Sequence, residues 1–163
     1  MAKAEADAGE LLHRILGLTS AATGRVRRTA VAEFPEATGT APLRTETVVG
    51  RLLEGLPITS FQVLGEALEV PRDRLAELVG IAPRTLARRK VFKPEESDRI
   101  FRFGRIYQDA LELFNGQAEE ARTWLKSPQF GLGGAIPLEF ARTEPGAQEV
   151  RALIGRLNEG VFA

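Results

Sequence analysis

The sequence predicts an all-α fold, and three observations carry that reading. Apolar residues recur at spacings of three and four in several separate segments, no run alternates apolar and polar residues as a half-buried strand would, and Pro, Gly and Ser/Thr fall at the ends of the periodic segments. No internal repeat is evident. At 163 residues the chain is long enough for one domain with a modest extension. An apolar content of 44% against 27% charged residues excludes a wholly disordered or fibrous chain.

Leu11, Leu12, Ile15, Leu16 and Leu18 predict a short amphipathic helix, and Thr19 to Pro42 reads as an irregular connection. Val48, Val49, Leu52 and Leu53 resume helical spacing up to Leu56-Pro57. Thr59 or Ser60 is then placed to cap a helix carrying Phe61, Leu64 and Leu68, and Pro71 restarts the chain. Ile100, Phe101, Phe103, Ile106, Tyr107, Ala110, Leu111 and Phe114 predict a long buried helix over Glu95–Phe114, opened by Pro94 and closed by Asn115-Gly116. Ala118, Ala121 and Leu125 mark a shorter helix ending at Ser127-Pro128, with Trp124 expected in the core. After a loop holding Gly131, Gly133, Gly134 and Pro137, Ala147, Val150, Ile154, Leu157 and Val161 outline one face of a last helix.

Composition narrows the function classes. Without cysteine there is no disulfide framework, thiolate metal site or thiol nucleophile. The longest uncharged stretch, Ser127 to Leu138, is too short and too rich in proline for a membrane span, which needs about 18 apolar residues. The acidic N-terminus does not read as a secretory signal, so a cytoplasmic location with no membrane partner is expected. The only histidine, His13, lies among leucines without a neighbouring acid suited to catalysis, and Gly131–Gly134 lacks the strand and lysine of a phosphate loop. Glu95, Glu96 and Asp98 suit a helix N-terminus better than a metal. The chain is therefore expected to be no enzyme, with no cofactor and no metal.

The formal net charge of zero hides a strong local bias: residues 81 to 105 carry eight basic and three acidic side chains. Such a block holds a polyanion through nearby charge even in a neutral protein, the plain alternative being a solvated helix face. Its core, Arg72 to Lys90, reads as helix, tight turn, helix. Leu75, Ala76 and Val79 face inward, Gly80 supplies the positive φ of the turn, Ile81 plugs the space between helices, Pro83 opens the second helix and Leu86 points back to the core. With Leu86 inward, about 100° per residue puts Arg84, Thr85 and Arg88 on the outer face, with Arg89 and Lys90 on its flanks. Arg84 and Arg88 are suited to guanine edges and Thr85 to a thymine methyl or phosphate, while Arg89, Lys90 and Lys93 suit backbone phosphates. Arg89 falls where many such motifs keep a second apolar residue. An ordinary basic αα-hairpin is the alternative.

Arg84-Thr-Leu-Ala-Arg-Arg-Lys90, Glu96-Ser-Asp-Arg-Ile100, Glu112-Leu-Phe114, Trp124-Leu125, Leu132-Gly-Gly134 with Pro137-Leu138, and Gly155-Arg-Leu157 with Gly160-Val-Phe162 together resemble the Xre/MbcA/ParS antitoxins. The resemblance covers roughly Leu56 to Ala163. It implies a type II antitoxin with three parts: an N-terminal helical extension (residues 1–50) to which the family assigns no role, an Xre-like helix-turn-helix DNA-binding region (51–105), and a C-terminal helical toxin-binding domain (106–163). It further implies repression of the protein's own operon, and inhibition of a RES-family toxin that consumes or uses NAD. The segment laid over that toxin's active site would correspond to Thr143 to Ala163. Within it Val150, Ile154 and Leu157 are expected to anchor one face, leaving Arg151, Arg156 and Asn158 outside. Arg156 is the residue expected to reach the toxin cleft, occupying a phosphate site or pairing with an acidic residue, against the alternative of a solvated arginine. Gly160, Val161 and Phe162 either enter a toxin pocket or fold back on the core. Operator DNA is expected to be bound as a homodimer on a palindrome. A stand-alone helix-turn-helix repressor with no toxin partner is the alternative function.

Overall fold

The computed structural model describes residues 10–18 and 43–160. The expected connection Thr19–Pro42 and the tail residues Val161 and Phe162 lie outside the described residues. Among the described residues the chain is helical: α1 at residues 10–15, α2 Thr45–Glu54, α3 Ile58–Leu68, α4 Arg72–Leu78, α5 Pro83–Leu86, α6 Pro94–Leu113, α7 Ala118–Lys126, α8 Pro137–Phe140 and α9 Glu144–Asn158, with a 3-10 turn at Phe130–Leu132. No strand is present among them, only two isolated bridges, Pro57 with Val91 and Gln129 with Ala135.

The long α6 is the axis of the molecule. Ile100, Phe103, Ile106, Tyr107, Ala110 and Leu111 are all buried, and α2, α3, α7 and α9 pack around it. Helix α1 closes the remaining side. Leu12, Ile15 and Leu16 are buried, and α6 admits them at Gly104, where a methyl group would come within 2.6 Å of Ile15 Cδ1. A side chain on α6 would hold the two helices apart, so the absence of one sets their closeness.

Three expectations change. Ser60 caps nothing: α3 starts at Ile58 after Pro57, and the buried Ser60 hydroxyl donates to the Ile15 carbonyl, tying α3 to α1. Trp124 is only half-buried, packed against Phe114 with ring centroids 6.5 Å apart. The second helix of the basic segment is also shorter than its composition suggests. It ends at Leu86, closed by the bond from Ala87 N–H to the Pro83 carbonyl (3.1 Å), after which the bonds reach back only three residues, from Arg88 N–H to the Thr85 carbonyl (3.1 Å) and from Arg89 N–H to the Leu86 carbonyl (3.4 Å). The reason lies just downstream. Phe92 is buried against Phe61, and its N–H donates to the Leu56 carbonyl (2.8 Å) while Ile58 N–H donates to the Lys90 carbonyl (2.9 Å). Burying that ring pulls residues 90–92 into an extended bridge, and a helix cannot run through it.

The first half is clamped to the second by polar contacts. Arg74 of α4 pairs with Glu77 and with Glu139 of α8. Both partners hold its guanidinium above the ordinary arginine pKa, the bond to Glu77 most of all. Arg122 of α7 reaches Glu69 and Glu119 at 3.1 Å each, and Lys126 donates to the Glu69 carbonyl at 3.0 Å. Burial opposes the charge on Arg122, but Glu119, Tyr107 and Glu69 outweigh it and its pKa is raised.

Candidate functional site

The helix-turn-helix forms because its short elements have small, complementary inner surfaces. Leu75, Ala76 and Val79 of the first helix and its end are buried, as are Ile81 and Leu86. Gly80 has φ +64°, and Ile81 N–H reaches back to the Ala76 carbonyl at 2.8 Å, the bond that closes a helix with a left-handed residue. The five residues expected to face inward are all buried, and Leu78, which was not among them, is buried as well.

The outward set is a basic surface. Arg84, Arg88, Lys90 and Lys93 are exposed and Thr85 is half-buried. Among the described residues none of the four cations has an ion pair, whereas Arg51, Arg74, Arg102, Arg122, Arg142 and Arg151 all do. Two of the three carboxylates in this block are already engaged: Asp98 with Arg102, and Glu96 with Arg89. The exposed face is left with charge that has no internal partner, which is what a phosphate backbone requires.

Arg89 differs from its neighbours. Its side chain is 26% exposed and its guanidinium lies 3.2 Å from the Glu96 carboxylate, itself 12% exposed. The arginine fills the inward position that a second apolar residue commonly takes, and Glu96 neutralises it. The other Glu96 oxygen accepts from Lys93 N–H (2.8 Å), so one carboxylate caps α6 and holds the end of the helix-turn-helix together. Glu96→Ala is expected to lower the unfolding free energy by about 1–3 kcal/mol, because it strips both the cap and the partner of a mostly buried cation. The shift in a urea unfolding midpoint measures it.

The C-terminal half presents a second surface. On α9, Gly146, Ala147, Val150, Leu153 and Ile154 are buried against the core, and Leu157 is half-buried. Arg151 is exposed but not at liberty: its Nε lies 2.6 Å from Asp109 of α6. Arg156 is half-buried with no hydrogen bond or ion pair among the described residues, and Asn158 and Gly160 are exposed at the helix end. Two exposed aromatic residues escaped the sequence reading, Phe130 at 88% and Phe140 at 39%. A large aromatic residue inside a glycine-rich loop was the available signal for Phe130. Among the described residues no group of three potential metal ligands occurs, and no helix is long and apolar enough to cross a membrane.

These elements define a helical protein in which a helix-turn-helix and a second helical unit share the core around α6. Comparison with known proteins gives the class a family. Residues 48–105 match the antitoxin Xre-like helix-turn-helix domain, and residues 109–160 match the antitoxin Xre/MbcA/ParS C-terminal toxin-binding domain. The chain is similar to an antitoxin Xre of Yersinia enterocolitica, 44% identical over 98 residues that span 58% of this chain and 66% of that protein. An antitoxin Xre of Photorhabdus laumondii is 37% identical over 116 residues, spanning 69% of this chain and 78% of its own length. The chain belongs to the Xre antitoxin family, which is not a family of enzymes.

Proposed function

We propose that this protein is a type II antitoxin that represses its own operon and neutralises a RES-family, NAD-consuming toxin in the cytoplasm. On DNA, a homodimer sets two helix-turn-helix units on a palindromic operator. Arg84, Thr85 and Arg88 lie against base edges, and Lys90 and Lys93 hold phosphates, with Arg89 at their side through its contact with Glu96. On the toxin, α9 and the tail after it cover the active site, with Arg156 entering the cleft and Arg151, Asn158, Gly160, Val161 and Phe162 around it. The observation that carries this reading is where uncommitted charge gathers among the described residues: Arg84, Arg88, Lys90 and Lys93 are four exposed cations without an ion pair on one helix-turn-helix, and Arg156 has no partner near the end of α9.

The test is co-expression with the product of the adjoining gene while cellular NAD is followed. The full chain is expected to preserve NAD and a chain ending at Arg142 to fail. Arg156→Ala is expected to weaken toxin binding about tenfold or more, the size of a lost charge-assisted hydrogen bond. Unchanged inhibition by the Arg156 variant removes that residue from the interface. Operator binding with no protein partner at all leaves the stand-alone repressor.

A further inference from the structure

The most exposed large apolar side chain among the described residues is Phe130, at 88%. It stands on a turn that is fixed from several sides. Gln129 N–H donates to the Ala135 carbonyl (3.0 Å), Gly133 N–H to the Phe130 carbonyl (2.9 Å) and Gly134 N–H to the Gln129 carbonyl (2.9 Å). The Gln129 side-chain amide donates to the Trp124 and Ser127 carbonyls (2.9 and 3.1 Å), and Leu132 is buried beneath. Gly131 rests on Leu153 of α9 so closely that a methyl group there would come within 2.6 Å of Leu153 Cδ1. The turn that carries the ring is thus seated against Leu153 of α9, three residues before Arg156.

On its other side, Gln129 leads into an open groove of about 450 Å³ lined by Phe114 and Trp124, with the exposed Glu120, and Glu119 already paired with Arg122, at its acidic rim. An aromatic ring that is already ordered and exposed loses little conformational freedom when a partner covers it, which is the property of an interface anchor. We infer that Phe130 is the aromatic anchor of the toxin interface, entering an apolar pocket of the toxin while the acidic rim of the adjacent groove faces basic residues of the same partner. This rests on the reading of residues 109–160 as the toxin-binding module, and it widens that interface from the tail to the turn before α8.

The experiment is titration calorimetry of the purified full-length protein against the purified product of the adjoining gene. Phe130→Ala is expected to weaken binding about tenfold or more, and Phe130→Leu to recover part of the loss, with operator affinity and thermal unfolding midpoint unchanged for both. Affinity within twofold of the unaltered chain overturns the assignment of Phe130 and leaves the toxin reading standing. A loss of self-association with toxin affinity retained also overturns it, because a second copy of this chain then covers the ring. No binding by the unaltered chain overturns the toxin reading itself and the anchor with it.

Discussion

Ile15→Ala is expected to lower the unfolding free energy by about 2–5 kcal/mol, among the largest effects of any single truncation in this chain. Ile15 is fully buried although it lies well outside the stretches that match the family. Its neighbours are specific to its being there. Gly104 of α6 leaves the space its Cδ1 occupies, Ser60 spends its buried hydroxyl on the Ile15 carbonyl, and Arg51 Nε donates to the Leu16 carbonyl at 3.0 Å. Truncation removes three carbons from a dry contact between helices and leaves a cavity bounded by α6, whose rigid backbone does not collapse into it. Urea unfolding followed by far-ultraviolet circular dichroism reads the loss as a lowered midpoint with an unchanged slope. A midpoint within experimental error of the parent would mean that residues 10–18 do not seal the core, and that the module recognised by the family folds without them.

Where periodicity is long, the sequence was sufficient. The twenty-residue α6 was legible within a residue at each end because a buried helix must repeat its apolar positions every three or four residues, and because Pro94 and Asn115-Gly116 punctuate it. Short elements behaved otherwise. Helix α5 has four residues, and its end was decided by Phe92, whose burial against Phe61 overrides the helical preference of Ala87 to Arg89. Ser60 looked like a cap because a serine near a helix start usually is one, and only the arrival of α1 from the far end of the sequence gives its hydroxyl another acceptor. The role of Leu12 and Ile15 was illegible for the same reason: an amphipathic stretch declares that it has a buried face, not what buries it.

The candidate site divides along a similar line. The exposed side of the helix-turn-helix could be read because Leu86 fixes the phase and the rest follows from geometry. Charge pairing could not be read that way. Arg88 and Arg89 are adjacent and chemically identical, yet one is exposed without a partner and the other faces Glu96 seven residues later. Arg151 and Arg156 show the same contrast, separated only by whether Asp109 stands opposite. Partner identity is a tertiary fact, and it decides which arginine has charge left for a ligand.

That distinction sets the outcome for the DNA surface. Replacing Arg84 and Arg88 together by alanine is expected to abolish most discrimination between operator and scrambled duplex, at about 1–3 kcal/mol for each lost base contact. The two positions are four residues apart, Arg84 on α5 and Arg88 on the turn that follows it, so the double variant is expected to fall short of the sum of the singles. Lys90→Ala and Lys93→Ala should instead weaken both duplexes alike and each flatten the dependence of log affinity on log salt by about one unit, because each releases one counterion fewer. Arg89→Ala belongs to neither class. Its guanidinium is held by Glu96, so its loss should appear first as a lowered unfolding midpoint and only then as weaker binding to any duplex. Fluorescence anisotropy on the two duplexes across a salt series separates these patterns. Equal loss on both by the Arg84/Arg88 double variant would reduce them to phosphate contacts, and specificity would then have to come from the spacing of the two half-sites and the deformability of the DNA between them.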